Sequence, residues 1–397
     1  MKVTFPHLGT MHIFCKAIAE TAGINYIVPP KTSKRTLTLG VKNSNECICL
    51  PFKIILGNFI EALELGADTI IMVGSGPPCR LGLYDFVQKV ILEDLGLPYR
   101  WLTIPPKLDW PALLKNREET KELKKELSFK NITTFPYALW IGWKKMMACE
   151  RLEKLALRIR AREVIKGQTE KALQKALAGL DEAKTGKAIE RAIIEGEKIL
   201  GSVDQDRGRK PLMVAIVGEL YTVMDPQINR GVERKLGEMG VEVTRTSWFS
   251  SHIMRSLGVG RQNRRERLHF YQASLQYMGY DVGAECNVSI GEAIVRARGG
   301  YDGVVHLMPF ACMPETTASG ILDRVSRDLG FPLLTLILDE QESEGRITTL
   351  LEAFVDMLRW RRRQNPQSDL GIKTDELVKN KKWDGKVKSV KCKACES

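Results

Sequence analysis

The chain has 397 residues, 44% hydrophobic and 27% charged, and its 60 Lys+Arg against 48 Asp+Glu leave a net charge of +12. That length suggests two or three domains, and the composition provides for buried cores, which excludes a collagen, a coiled coil, a disordered tail and a small disulfide knot. Nine cysteines are too few for a disulfide scaffold and too many to pass over.

In chain order, the N-terminus Met1-Lys2-Val3-Thr4-Phe5-Pro6-His7 shows no apolar leader with a cleavage site, so no signal peptide is expected. No stretch reaches the roughly eighteen apolar residues of a membrane span. A cytoplasmic location with reduced thiols is therefore expected. The first strand is expected at 2–5. Glu46-Cys47-Ile48-Cys49-Leu50-Pro51 then puts a Cys-X-Cys pair just before a helix, and a second strand is expected at 68–73, followed by Gly74-Ser75-Gly76-Pro77-Pro78-Cys79-Arg80. From about 113 to 199 strand signal fades and Ala, Leu, Glu, Lys and Arg dominate. Pro136 punctuates this stretch, and 150–175 reads as one long amphipathic helix carrying Leu152, Leu155, Ile159 and Val164. A polar linker at 202–208 leads to strands expected at 212–217, 303–308 and 332–338. Pro309-Phe310-Ala311-Cys312-Met313-Pro314-Glu315 follows the second of these, and beyond Arg359 the chain is basic and expected to be peripheral.

The strands are continuous apolar runs separated by helix-length segments, the pattern of parallel strands covered on both faces. The expected class is α/β, with two Rossmann-like (flavodoxin-like) parallel-sheet domains and a helical insertion. Domains are expected at 1–112 with the first cysteine loops, 113–205 for the insertion, 206–360 with the Cys312 loop, and 361–397 for a basic C-terminal tail. Internal similarity supports a duplication. Gly57 and Gly66-Ala67-Asp68 match Gly291 and Gly300-Tyr301-Asp302 at an offset of 234, which also carries Leu95-Gly96-Leu97-Pro98 onto Leu329-Gly330-Phe331-Pro332. Cys79 and Cys312 differ by 233, one residue off that register. Upstream, Ala22-Gly23-Ile24-Asn25-Tyr26 and Met239-Gly240-Val241-Glu242-Val243 are equivalents at a shifted offset.

Ligands of open parallel sheets sit outside the carboxyl ends of the strands, where Cys79 and Cys312 are expected. Neighbouring prolines stiffen both loops, as a preorganised ligand requires. Structural zinc sites pair their cysteines in close knuckles. Soft thiolates far apart in sequence that converge at a domain cleft suit an iron–sulfur cluster better. Cys47, Cys49, Cys79 and Cys312 are thus the candidate metal ligands, with Cys286 a further candidate for cofactor binding. Cys15 and Cys149, on apolar helical segments, read as core thiols. Lys391-Cys392-Lys393-Ala394-Cys395 is half a zinc site and reads as a mobile, redox-exposed tail.

Three strings carry a resemblance. Cys47-Ile48-Cys49-Leu50-Pro51-Phe52-Lys53, Gly76-Pro77-Pro78-Cys79-Arg80-Leu81-Gly82-Leu83-Tyr84 and Met308-Pro309-Phe310-Ala311-Cys312-Met313-Pro314-Glu315 resemble the CoA-enzyme-activase-related protein family, a distant relative of the 2-hydroxyacyl-CoA dehydratase subunits and the double-cubane cluster proteins. Leu338-Asp339-Glu340 fits the same pattern. The resemblance covers most of 1–360, and it implies two flavodoxin-like domains around an oxygen-sensitive [4Fe–4S] cluster or double cubane, hence an anaerobic protein. It also implies a partner, an ATP-hydrolysing activase of the actin/Hsp70-like ATPase fold, that delivers low-potential electrons for reductive or radical dehydration of an acyl-CoA or another small substrate. By position Cys47, Cys79 and Cys312 match the family's three ligands, with Cys49 and Cys286 in reserve, then Cys149 and Cys15. A non-catalytic electron-transfer or cluster carrier is the alternative; homo- and heterodimers both stay open.

The sequence carries no Gly-x4-Gly-Lys-[Ser/Thr] and no complete Gly-x-Gly-x-x-Gly after a strand, consistent with energy input from a partner. It also lacks His-Glu-X-X-His, which excludes a zincin. Glu315 and His306 are the catalytic candidates: Glu315 as an acid–base group or, preferably, a carboxylate capping the following helix, and His306 as a donor to a cluster sulfur. Arg80 would favour a thiolate at Cys79. Basic stretches at 158–162, 261–267, 359–363 and 379–393 raise a zinc-stabilised nucleic-acid binder as a weaker alternative. Without an aromatic RNA-binding motif or a complete finger, solvated faces, a docking surface for an acidic partner or CoA phosphate contacts explain them equally well.

Overall fold

Parallel pairing follows from the apolar, β-branched runs with helices between them. The computed structural model describes residues 1–74, 79–104, 129–257 and 260–364. Strands β1 (Val3–Thr4), β2 (Thr69–Val73) and β3 (Arg100–Ile104) form one parallel sheet in the order β1-β2-β3. Strands β4 (Leu212–Gly218), β5 (Val241–Arg245), β6 (Gly303–Pro309) and β7 (Leu333–Leu338) form a second, also parallel, in the order β5-β4-β6-β7. The chain is thus an α/β protein with two Rossmann-like sheets. In the first half lie helices α1 (Met11–Ala22), α2 (Lys34–Lys42), α3 (Leu50–Glu64) and α4 (Tyr84–Asp94); in the middle, α5 (Phe129–Arg160), α6 (Gln168–Glu182) and α7 (Gly186–Gly201). The second half adds α8 (Leu220–Met224), α9 (Val232–Glu238), α10 (Phe249–Ser256), α11 (Arg261–Ser274), α12 (Cys286–Arg298), α13 (Met313–Leu329) and α14 (Glu344–Gln364).

The duplication is visible in topology. A parallel bridge from Tyr26 to Val3 extends the first sheet beyond β1, so the order Tyr26-β1-β2-β3 reproduces β5-β4-β6-β7. It is visible again in one repeated glycine. A Cβ on Gly57 of α3 would lie 2.0 Å from the carbonyl oxygen of Thr36 in α2, and one on Gly291 of α12 would lie 1.7 Å from that of Phe270 in α11. Each half therefore presses two consecutive helices together through a bare backbone at the same repeat position.

One hydrophobic cluster joins both halves: Phe52, Ile55, Phe59, Ile70 and Tyr84 share it with Val214, Ile216, Val305, Leu307 and Leu351. A second binds the middle helices to the first domain, with Ile13 and Ala17 of α1 packed among Ile141, Cys149, Leu152, Leu180 and Ile189. The insertion expected at 113–205 is thus helical where described, and it supplies the partner of α1 instead of standing apart. Cys149 is a core thiol within that cluster, and Cys15 on α1 is half-buried.

Three details depart from the sequence reading. The helix expected over 150–175 is two helices, α5 and α6. Glu163 between them accepts hydrogen bonds from the N–H groups of Gly167 (2.9 Å) and Thr169 (2.8 Å), and Gly167 takes a left-handed φ of +84°. That carboxylate satisfies the orphan donors of α6 and ends the run. Pro136, expected to punctuate the region, lies inside α5. Finally, α14 carries the chain past the boundary expected at 360 to Gln364, and the basic run from Arg359 lies on the surface as expected, with Arg362 alone partly buried. Arg359 and Arg361 donate to the carbonyls of Met239 and Gly330, which close α9 and α13, and Arg362 pairs with Asp302 at 2.7 Å. Cations at helix carboxyl ends offset the aligned peptide dipoles, so these charges hold the fold together. Most of the expected tail, with Cys392 and Cys395, lies outside the described residues. Among the described residues no helix is long and apolar enough to cross a membrane.

Candidate functional site: facing sheet edges with three thiols

The carboxyl ends of the two sheets face each other. Just after β1, the Gly9 N–H donates to Asp225 at 3.0 Å, and a Cβ on Gly9 would stand 2.7 Å from the carbonyl oxygen of Met224 at the end of α8. His7 lies 3.5 Å from the same carboxylate. In the second sheet the winding reverses between β4 and β6, and in the first between β1 and β2. Such reversals open a crevice outside the strand ends. Glu219 follows β4, Cys79 follows β2 and Cys312 follows β6, so all three stand at these crevices.

Gly218 closes β4 with φ +137°, and a Cβ there would lie 1.9 Å from the Leu307 carbonyl oxygen, which excludes a side chain. The turn aims Glu219 at the start of α8, where its carboxylate accepts from the N–H groups of Tyr221 (3.0 Å) and Thr222 (2.9 Å). Burial, above all, pushes its pKa up to about 7; those hydrogen bonds oppose the rise and nearby Glu315 adds to it.

Cys49 and Cys312 occupy equivalent local positions. Each directly precedes a helix, α3 or α13, with a proline in its first turn. Neither makes a capping hydrogen bond, but the N–H groups of Phe52 and Glu315, three residues on, face the two sulfurs closely enough to favour thiolates. Burial outweighs this. It raises Cys49 to about 11 and Cys312 further still. The Cys49 sulfur lies 2.6 Å from the Tyr84 hydroxyl, and Tyr84 is itself buried edge-on against Phe52 with ring centroids 5.0 Å apart. After burial, Glu219 is the foremost charge raising both thiols, with Cys79 a minor influence on Cys49 and Cys49 a minor one on Cys312.

The remaining sequence candidates fall into two groups. Cys47 is exposed, with its N–H bonded to Asn45 at 2.8 Å, while Cys286 is fully buried at the start of α12, its thiol raised to about 12 by burial and then by Glu315 and Asp281. His306 and Glu315 form a buried pair, Nε2 to Oε2 at 2.8 Å, and Ser289 donates to the other carboxylate oxygen at 3.2 Å. Glu315 was expected to cap its own helix; its oxygens instead bond to a strand and to α12, fixing α13 against both. The side chain of Arg80 lies outside the described residues. Among the described residues, no three His, Cys, Asp or Glu side chains are gathered as a single ion would hold them.

Sequence reasoning overlooked Lys53, Tyr84 and Glu219. Lys53 is 1% exposed, and its ammonium reaches Glu340 beyond β7 at 2.9 Å and the Glu46 carbonyl at 3.2 Å. A lysine in an otherwise apolar first turn and a glutamate directly after an apolar strand were the available signals. The chain matches no protein-family model and no curated protein.

Proposed function

We propose that the protein is an iron–sulfur protein of the 2-hydroxyacyl-CoA dehydratase-related class. In this reading the cluster lies in the crevice between the facing sheet edges, on Cys49, Cys79 and Cys312. The observation that carries it is the placement of these thiols at strand and helix ends of the two sheets: Cys49 at the start of α3, Cys79 after β2 and Cys312 between β6 and α13. Cys49 takes the third position because it is buried at the start of α3 beside Tyr84, whereas Cys47, two residues earlier, is exposed. Soft donors at two helix N-termini fit a polynuclear centre, whose thiolates stand farther apart than those around one ion. A bound cluster supplies one-electron reduction at low potential.

The chain's own groups have distinct tasks in this reading. Tyr84 orients Cys49, and the His306–Glu315 pair fixes the first turn behind Cys312. Glu219, with a pKa of about 7, exchanges a proton beside them near neutral pH. The electron source is an ATP-hydrolysing activase of the actin/Hsp70-like fold, and the substrate is an acyl-CoA or similar small molecule reduced or dehydrated in the crevice. Oxygen-free purification with iron and sulfide quantitation tests this. Cys49→Ala, Cys79→Ala and Cys312→Ala should each lose most of both elements; unchanged contents in all three would sink the cluster assignment. Turnover of acyl-CoA only with reduced activase present separates an enzyme from an electron carrier.

A further inference from the structure

A cavity of about 550 Å³ opens at the carboxyl end of β5, among α10, α11 and α12, and none of the thiols lines it. Trp248, Leu268, Phe270 and Val288 give it apolar walls, and Arg255, Arg264 and Arg267 also line it. The charges do not balance. Arg255 and Arg267 share one carboxylate, Glu285, at 3.0 and 2.6 Å, which occupies both of its oxygens. Arg264 forms no ion pair among the described residues, and the other lining carboxylate, Glu266, faces Arg296 at 3.8 Å. Three guanidiniums thus confront a single available carboxylate, and His252 also leans on Glu285 at 3.6 Å.

We propose that this cavity binds a small organic phosphate, with the phosphoryl group on Arg255, Arg264 and Arg267 and the apolar body against the Trp248–Phe270 wall. A phosphate monoester carries nearly two negative charges at neutral pH, which matches the surplus of three guanidiniums over one carboxylate. Guanidinium forks suit its oxygens in paired hydrogen bonds, and an apolar lining with a few convergent polar groups is the ordinary make-up of a small-molecule site. The Ser247 hydroxyl, which also lines the cavity, provides a further donor. The site is independent of the cluster reading, because it uses neither the thiols nor the facing sheet edges.

Calorimetric titration of the full chain with phenyl phosphate, benzoate and benzyl alcohol tests the assignment. Phenyl phosphate should bind saturably and more tightly than benzoate, and benzyl alcohol should give no saturable heat. Arg264→Gln, which removes no ion pair within the described structure, should weaken phenyl phosphate binding on the order of tenfold with an unchanged melting temperature. Arg267→Gln should weaken it at least as much. No saturable binding of phenyl phosphate, an unaltered affinity in Arg264→Gln, or benzoate binding as tightly as phenyl phosphate would each overturn the proposal.

Discussion

Lys53 of α3 and Glu340 beyond β7 meet at 2.9 Å, joining the two halves of the chain through an ammonium that is 1% exposed. The pair is unsymmetrical, because Glu340 keeps a quarter of its side-chain surface in water. Removing the partner of a buried charge costs about 3–5 kcal/mol, whereas replacing the buried charge itself by an apolar group of similar shape costs little. Glu340→Gln should therefore destabilise the protein by about 3 kcal/mol and Lys53→Met by much less. Urea midpoints at constant m-value measure both, and equal losses would contradict the asymmetry.

The repeated glycines give a second expectation. Gly57→Ala and Gly291→Ala each place a methyl group within 2.0 Å of a carbonyl oxygen on the neighbouring helix. Helix separation must grow in either case, at a cost of about 1–3 kcal/mol or more, and the two losses should be similar because the contacts are equivalent. Alanine ordinarily favours a helix over glycine by about 1 kcal/mol, so a stabilised variant would show that the helices do not touch there.

Glu219 and Glu292 make stability depend on pH. Burial is the first cause of raising each to about 7 from an ordinary 4.5. Between those values the folded chain keeps protons that the unfolded chain has released, so stability falls as pH rises from about 4.5 to about 7 and then levels. Glu219→Gln does not titrate and keeps one of the two acceptor oxygens that Tyr221 and Thr222 use. It should flatten the profile by up to about 1.4 kcal/mol per pH unit. Thermal midpoints from pH 4 to 8 follow this, and an unchanged slope would refute it.

Thiol accessibility gives the fourth. Cys47 is exposed, while Cys49, Cys149, Cys286 and Cys312 are buried; burial raises all four of the latter above the ordinary thiol value. In the cluster-free folded protein, iodoacetamide at pH 7 should modify Cys47 well before any of those four, because only the thiolate reacts. Peptide mapping by mass spectrometry reads the order directly. Early loss of Cys286 or Cys149 would show that the helix cores open.

Much of the fold was legible because it rests on continuous apolar strands and a repeat offset: the expected strands at 2–5, 68–73, 212–217, 303–308 and 332–338 each match an observed strand to within a residue at either end. The break between α5 and α6 was hidden, since the Glu163 cap acts through backbone N–H groups that hydrophobic periodicity does not register. The basic run at Arg359, Arg361 and Arg362 is solvated as its composition suggests, but the carbonyls and the carboxylate that it binds could not be read from sequence. Loop position correctly put Cys79 after β2 and Cys312 after β6. That Cys49 is buried beside Tyr84 while Cys47 stays exposed was not legible in sequence, because the two are only two residues apart at a helix start.

The packing of α1 against α5 also governs how the chain is made. α1 leaves the ribosome more than a hundred residues ahead of α5, and at roughly 5–20 residues per second it waits several seconds with the side of Ile13 and Ala17 uncovered. A shortened gene ending before α5 should therefore yield aggregates instead of a small folded domain, because the side of α1 that carries Ile13 and Ala17 then has no cover.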